Sequence, residues 1–274
     1  MIFTETINVA WRSLMSNKSR SLLTMLGVII GVAAVIIMMS VSAGTDATIS
    51  EQINGLGSNL IFINASGFSR GGPGQSQTSG GLVYDDVDAI RSSISGVAGV
   101  SVEQTTTGTV KFGDVSLDEV TILGTTPDFT TVRDITVADG RFINDTEQER
   151  SSKVVVLGAA VAEELFGSED PIGQYITANN IKLTVVGVME EKGLVSGTNY
   201  DDMIYVPINL IFAKFVNNPF ARMFGNSVRT IYVSVDSNAN MDAVIQQITL
   251  LLVKRHDVTL DSMDFSIQTQ DDII

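Results

Sequence analysis

The feature that most constrains this chain is an apolar stretch near its N-terminus. Residues 21–44 contain no charged side chain. A helix of about twenty apolar residues spans a hydrocarbon core of roughly 30 Å. The flanks differ in sign, with Arg12, Lys18 and Arg20 before the stretch and Asp46 and Glu51 after it. Because basic flanks stay in the cytoplasm, the pattern predicts a transmembrane helix over 21–44, with the N-terminus inside and residues 45–274 outside the membrane.

Two other interpretations of this stretch were weighed against a span. A cleaved signal peptide has an apolar region of about 7–15 residues and a small-residue cleavage site. Residues 42–44 resemble such a site, but the apolar run is longer and a long segment precedes it. A buried core helix of this length carries a polar stripe, and this stretch has none. The sequence therefore favours a membrane span.

Residues 1–20 are predicted to form a cytoplasmic amphipathic helix that lies directly before the span. Apolar side chains recur on one side at helical spacing, at Phe3, Ile7, Ala10, Trp11 and Leu14. An amphipathic helix with Trp and Arg suits the membrane interface. It either rests on lipid or contacts a cytoplasmic partner, and the residues alone favour lipid.

Gly27 and Gly31 form a G-x-x-x-G pair within the predicted span. Such pairs let two helix backbones approach closely. The pair is common by chance in glycine-rich spans, so by itself it is a weak signal. It nevertheless makes both glycines candidate helix-packing residues.

The predicted outer region is strongly acidic. The chain has a net charge of −14, and its first 44 residues are net basic, so the negative charge falls after the span. This charge repels phosphate backbones and argues against nucleic-acid binding. The sequence has no cysteine, which excludes disulfides, thiolate metal sites and cysteine nucleophiles.

Two strand–helix–strand units, one at each end of the outer region, define the predicted α+β fold. The first has a strand at 58–66, a helix that begins at Asp85 and Asp86 and ends at Gly96, and strands at 98–104 and 106–112. The second has a strand at 229–235, a helix capped by Asn240 and a strand at 264–270. Two such units pair into one sandwich. Residues 45–112 and 228–274 are therefore predicted to form one subdomain.

Residues 113–227 are predicted to form an inserted β-rich subdomain. Its strands are expected at 119–124, 153–157, 174–178, 181–189 and 203–206, and a short helix at 159–166. Residues 130–150 are predicted to be mostly loop. Residues 67–81 form a Gly/Ser/Gln-rich loop that lacks the phosphate-binding pattern and any lysine.

The residue pattern predicts no catalytic, cofactor-binding or metal-binding site. His256 is the only histidine, and its place near a helix C-terminus predicts a partner for the helix dipole. The acidic pairs lack calcium-loop spacing, so they are interpreted as caps and solvated charges. These pairs are Asp85–Asp86, Asp201–Asp202 and Asp271–Asp272.

A series of short motifs runs over nearly the whole chain. The motifs are AWRSL at 10–14, RSLLTMLG at 20–27, IIGVAAVI at 29–36, GRF at 140–142, VVLG at 155–158, LFG at 165–167, DPIG at 170–173, VVGV at 185–188, VP at 206–207, LL at 251–252, RH at 255–256 and DF at 264–265. Each motif alone is weak, but their order and spacing are specific. In this order the chain resembles the permease subunits of MacB-type ABC transporters.

The resemblance implies a porter-like α+β subdomain with an inserted β-rich subdomain, and a permease that acts in export or efflux. It also implies a homodimer and a cytoplasmic ATPase that binds ATP. The sequence has no Walker motif before the span, so that ATPase is expected to be a separate chain. Motion inside the cell would then move the outer domains, a mechanism called mechanotransmission. Membrane lipid and an extracytoplasmic adaptor are further partners that the family suggests.

In this resemblance the basic elbow before the span is a candidate contact for the ATPase. The candidate residues are Trp11, Arg12, Lys18 and Arg20. Members of the family carry three more spans, an FtsX-like region, after the outer domain. This sequence stops at Ile274 without them, and the expectation is therefore a fragment.

A membrane-tethered sensor or ligand-binding module is the alternative hypothesis. A single span and a two-lobed outer domain with a cleft also suit that class of protein. An anchored hydrolase has no support in the sequence.

Overall fold

A computed structural model describes residues 18–54, 59–66, 81–195, 197–215, 227–236, 239–269 and 272. The chain divides into two compact units, Met1–Gln52 and Ile53–Ile274. Most of the predicted elbow, including Trp11 and Arg12, lies outside the described residues, as does most of the glycine-rich loop.

The described residues of the first unit form one long helix, α1 (Lys18–Asn54), whose last two residues belong to the second unit. Its Lys18–Ser42 part is long and apolar enough to cross a membrane, and none of that window is buried against protein. This exposure argues against a buried core helix. The helix is longer than the predicted span of 21–44, because it continues from Gly44 to Asn54 and so adds roughly 15 Å at that end.

The second unit contains the remaining described elements, which are mixed α and β. The strands are β1 (Leu60–Ala65), β2 (Val97–Phe112), β3 (Val115–Thr125), β4 (Val137–Gly140), β5 (Val154–Leu157), β6 (Tyr175–Ala178), β7 (Ile181–Met189), β8 (Leu194–Val195), β9 (Thr198–Asn199), β10 (Met203–Pro207), β11 (Thr230–Val235) and β12 (Phe265–Thr269). The helices are α2 (Tyr84–Ser93), α3 (Phe129–Arg133), α4 (Asp145–Glu149), α5 (Ala159–Phe166), α6 (Ile208–Leu210, followed by a π-helical turn Ile211–Phe215) and α7 (Met241–His256).

The two strand–helix–strand units interleave in one sheet. The strand order is β12-β1-β11-β2, and each neighbouring pair is antiparallel. Each helix therefore crosses over a strand of the other unit, which is the split βαβ arrangement. Residues of α2 and α7 pack into one core with the strands, among them Val87, Ile90, Val244, Ile248 and Leu252. The predicted α+β fold class is confirmed.

Strand β2 extends beyond its pairing with β11 and joins these four strands to the remaining strands of the sheet. Residues Val97–Val102 of β2 pair with β11, whereas Glu103–Phe112 pair with β3. The sheet then proceeds in the order β3-β10-β5-β7-β4, and β6 pairs with β2 and β7. Helix α5 covers a separate apolar cluster there, with Val161, Leu165 and Phe166 buried. The subdomain limits at 112/113 and 227/228 stay predictions.

Two predictions about local structure were wrong. The strands expected at 98–104 and 106–112 are one strand, β2, because both of its halves find partner strands. The stretch 130–150, expected to be loop, holds most of α3 together with β4 and α4. These elements are too short for a periodicity signal. Helix α4 is instead set by a capping box between Asn144 and Glu147.

Close backbone approach explains a glycine in β7. A Cβ at Gly187 would lie 2.2 Å from the carbonyl oxygen of Arg141. Gly187→Ala is therefore expected to separate β7 from the segment after β4 and to lower the free energy of unfolding by about 1–3 kcal/mol. Thermal unfolding of the second unit measures this change. Gly81→Ala is the control, because nothing lies within 4 Å of a Cβ there, and equal effects of the two variants would contradict the explanation.

Candidate functional site

Four of the predicted site residues lie along α1, namely Lys18, Arg20, Gly27 and Gly31. Trp11 and Arg12 lie outside the described residues. Lys18 and Arg20 are exposed in the first turns of α1. A Cβ built at Gly27 or Gly31 meets nothing within 4 Å, so both glycines leave helix surface open. The Thr24 hydroxyl lies 3.0 Å from the carbonyl oxygens of Arg20 and Ser21 and donates within the helix. Its polar group is thereby satisfied in apolar surroundings.

Four ionisable side chains at one end of the interleaved sheet form what we call the charge clasp: Asp86, Arg255, His256 and Asp264. Arg255 Nε lies 2.9 Å from Asp86 Oδ1, and His256 Nε2 lies 3.0 Å from Asp86 Oδ2. His256 Nδ1 lies 2.9 Å from Asp264 Oδ1. The clasp joins the start of α2 to the end of α7 and the start of β12. It thus connects the two strand–helix–strand units.

The clasp holds its histidine as a cation. The hydrogen bond to Asp86 raises the pKa of His256 to about 9, against the opposing effect of burial, and Asp264 adds to the rise. Burial opposes ionisation of Asp86, but hydrogen bonds from His256, the Val83 N–H and Arg255 outweigh it and lower the pKa of this carboxyl. Both ring nitrogens of His256 therefore donate to carboxylates.

The clasp changes two expectations from the sequence. His256 was assigned to the helix dipole, yet its ring contacts two carboxylates. Asp86 was interpreted as a cap or solvated charge; it does accept the Val83 N–H at 3.0 Å, but only 1% of it is exposed. Asp86 and His256 lie 170 residues apart in sequence, so no local pattern reveals that they are partners.

A second set of polar contacts joins the interleaved sheet to the segment between β2 and β11. Arg133 on α3 is buried, with its Nε 2.6 Å from Glu103 Oε1 and its guanidinium 4.1 Å from the ring centre of Tyr232. Burial opposes the charge of Arg133, but Glu103 more than compensates and raises its pKa. Glu103 belongs to β2 and Tyr232 to β11, so one side chain of α3 contacts two strands of the sheet.

Helix α2 makes further contacts with the same segment between β2 and β11. Arg91 donates to Asp128 at 3.0 Å and to Asp145 at 2.8 Å. Gln148 of α4 donates to the Tyr84 hydroxyl at 3.1 Å. These contacts hold α3 and α4 against the sheet of the two strand–helix–strand units. Sequence analysis missed them, because each partner is remote in sequence.

The described residues of the chain contain no group of three His, Asp or Glu side chains placed to hold a metal ion. Asp201 of an acidic pair is buried and accepts the backbone amides of Lys192 and Gly193 at 2.9 and 2.7 Å. The charge clasp, the Arg133 contacts and the Arg91 contacts join secondary-structure elements to one another.

The match to a family profile covers both the apolar part of α1 and most of the interleaved sheet. The sequence profile of the MacB-like periplasmic core domain matches residues 21–251. The chain belongs to this family. The resemblance to MacB-type permeases that the sequence motifs carry is thereby confirmed.

Curated relatives of the chain are transport proteins. The macrolide export ATP-binding/permease protein MacB of Bdellovibrio bacteriovorus is 34% identical over 94% of this chain and 39% of its own length. The pyoverdine export ATP-binding/permease protein PvdT of Pseudomonas aeruginosa is 34% identical over 74% of this chain and 30% of its own length. The chain thus spans less than half the length of the relatives it matches.

Two solved structures share the fold. The periplasmic region of MacB from Actinobacillus actinomycetemcomitans superposes with a TM-score of 0.60, at 23% identity, over 82% of this chain and 95% of that one. The extracellular domain of the ABC-type transporter YknZ from Gram-positive bacteria gives a TM-score of 0.58, at 19% identity, over 77% of this chain and 100% of that one. The second unit therefore has the fold of MacB-like periplasmic domains.

Replacement of His256 is expected to produce a pH-dependent loss of stability. The folded pKa of about 9 lies above the ordinary value of 6.5, so the stabilisation is full below pH 6.5 and disappears as the pH rises through 9. His256→Gln should therefore lower the free energy of unfolding by about 1–3 kcal/mol near pH 6 and by much less near pH 10. Urea unfolding across this pH range measures the difference.

Lys254→Gln is the matched control for this experiment. It removes a positive charge from the same last turn of α7, but Lys254 is exposed and lies outside the clasp. The clasp would be contradicted if the difference in free energy of unfolding between the wild type and His256→Gln did not change with pH.

Loss of the buried Arg133 charge is expected to be more costly than loss of an exposed one. Arg133→Met leaves Glu103 largely buried without its partner, and should lower the free energy of unfolding by about 3–5 kcal/mol. Arg141→Met breaks the Arg141–Glu147 pair, in which the arginine is half exposed, and should cost less than about 1 kcal/mol. Chemical denaturation compares the two, and a double variant Arg133→Met with Glu103→Leu should recover part of the loss.

Proposed function

We propose that this chain is the permease part of a MacB-type ABC transporter, which couples ATP hydrolysis by a separate cytoplasmic ATPase to movement outside the membrane during export or efflux. The observation that carries the proposal is the single unbroken helix α1. It begins at the basic Lys18, passes through the apolar window to Ser42 and continues to Asn54. Displacement at one end of such a helix moves the other end.

The position of β1 supports transmission of that motion. β1 begins at Leu60, six residues after α1 ends, and it pairs with β11 on one side and β12 on the other. A force applied through the chain at Leu60 is thus distributed over two ladders of hydrogen bonds. The charge clasp and the Arg133 contacts then tie the helices and the β-rich segment to the same sheet.

The proposed topology places the N-terminus in the cytoplasm and the second unit outside, because basic residues precede the window and acidic residues dominate after it. In this arrangement Lys18 and Arg20, with Trp11 and Arg12 before them, contact the ATPase, and Gly27 and Gly31 pack against a helix of a second permease copy. ATP binds the ATPase subunit. Lipid surrounds the apolar window, and an extracytoplasmic adaptor contacts the outer unit.

Reversal of the basic flank tests the proposed ATPase contact. Lys18→Glu with Arg20→Glu should reduce recovery of the cognate ATPase with the membrane-embedded chain several-fold, since both attraction and steering are lost. ATP hydrolysis by the recovered complex should fall in proportion. Lys111→Glu with Lys182→Glu is the control, because both lysines lie in the second unit.

Two outcomes would overturn the proposal. One is unchanged recovery of the ATPase after reversal of the flank, with the chain still in the membrane. The other is tight binding of a small ligand by the outer unit while no ATPase can be recovered, which would favour the membrane-tethered ligand-binding module.

A further inference from the structure

Among the strands that the structure describes, β12 forms one edge of the ten-stranded sheet. The Ser66 N–H donates to Asp264 O at 2.8 Å, just beyond the pair Ala65–Phe265. Because hydrogen-bonded pairs alternate along an antiparallel ladder, Ser266 and Gln268 bond to β1. The N–H and C=O groups of Phe265 and Ile267 therefore point away from β1. The hydrogen bonds of β1 show the same alternation. The Ala65 N–H donates to the carbonyl oxygen of Arg229, which lies just before β11 on the opposite side of β1.

This edge has little of the usual protection against another strand. Natural sheets block edges with lysine, proline or a bulge, and β12 has the sequence FSIQT in regular register with β1. Within the described residues, protection is found at its end, where Asp272 accepts the Thr269 N–H at 2.7 Å. The main-chain groups of Phe265 and Ile267 are thus placed to pair with an added strand.

A groove of about 590 Å³ lies on α7 and on the loop that leads from α7 to β12. Its apolar lining includes Ile245, Leu250 and Leu260, and its polar lining includes Asp242, Gln246 and Thr249. Leu250 is 57% exposed and Leu260 is 59% exposed, so two leucines face solvent there. Because α7, this loop and β12 follow one another along the chain, the groove belongs to the same strand–helix–strand unit as the β12 edge.

The charges of the segment that carries the groove and the edge identify the chemistry of an occupant. Outside the clasp, the described residues 239–269 and 272 carry four acids against Lys254; the acids are Asp242, Asp257, Asp261 and Asp272. Asp242 lines the groove itself. A second copy of this chain would bring the same acids to the edge, and each copy carries a net charge of −14. Repulsion therefore disfavours a second copy and favours a basic partner.

We propose that the β12 edge and the groove on α7 bind an extended segment of a second protein by strand addition, and that this segment alternates apolar and polar residues between flanking Lys or Arg. Main-chain hydrogen bonds to Phe265 and Ile267 supply the pairing. Apolar side chains on the α7 side of the added strand enter the groove, and the basic ends face the acids. The inference goes beyond the transport role, and its test requires no ATPase.

The test uses the full chain in lipid nanodiscs and a synthetic peptide of alternating valine and threonine with paired lysines at both ends. Hydrogen exchange should show the amides of Phe265 and Ile267 exchanging freely in the chain alone and protected when the peptide is added. The same peptide with glutamate in place of lysine should give no protection. Asp242→Asn with Asp261→Asn should weaken binding and flatten its salt dependence.

A matched pair of variants isolates the main-chain contact. Ile267→Pro removes the outward N–H but no bond to β1, whereas Ile267→Thr removes a similar amount of apolar side chain and keeps that N–H. Proline is expected to weaken peptide binding by about tenfold or more relative to threonine. Equal affinities would overturn the proposal. If the proline variant does not fold, the exchange of the two amides in the wild-type chain decides.

Protection in the absence of peptide would also overturn the proposal. Protection that does not depend on protein concentration would show that another segment of this chain covers the edge. Protection that rises with protein concentration would show that a second copy does so.

Discussion

The order of strands in the interleaved sheet is the constraint on which the rest of the second unit depends. β1 lies between β11 and β12, so residues near 60 must meet residues near 230 and near 267 before the sheet exists. Everything between β2 and β11 therefore has to fold as an insertion whose ends return to one sheet. Loop closure over this distance is entropically costly, and the buried apolar faces of α2 and α7 offset it when the two units pair.

Buried charges occur where the interleaved units and the insertion meet. Asp86 and Arg133 are almost fully buried, and each has a partner of opposite charge on a different element. Removing a charge from water is costly unless its partner is well placed, so these contacts tolerate little displacement of one element against another. This property suits a unit that is proposed to transmit motion from a membrane helix.

Much of the fold could be read from the sequence because its signals are local. Periodic apolar residues placed α2 and α7, β-branched runs placed β1, β5, β7 and β11, and the Asn240 cap, which accepts the Ala243 N–H at 3.3 Å, was found where expected. Short elements such as α3 and β4 lacked such signals, because their few residues are held by tertiary contacts. For α4 the sequence does carry a local signal, the capping pair Asn144 and Glu147.

The sequence by itself determined the apolar window of α1, the absence of cysteine chemistry, the acidic character of the residues after that window, the α+β class and the family. All of these follow from composition, period or motif order along the chain. Only the tertiary structure decided that α1 extends to Asn54, that His256 is a cation between two carboxylates, and that β12 is an edge. Those properties depend on which residues meet across the sheet, and burial and long-range pairing are not encoded in any short window of sequence.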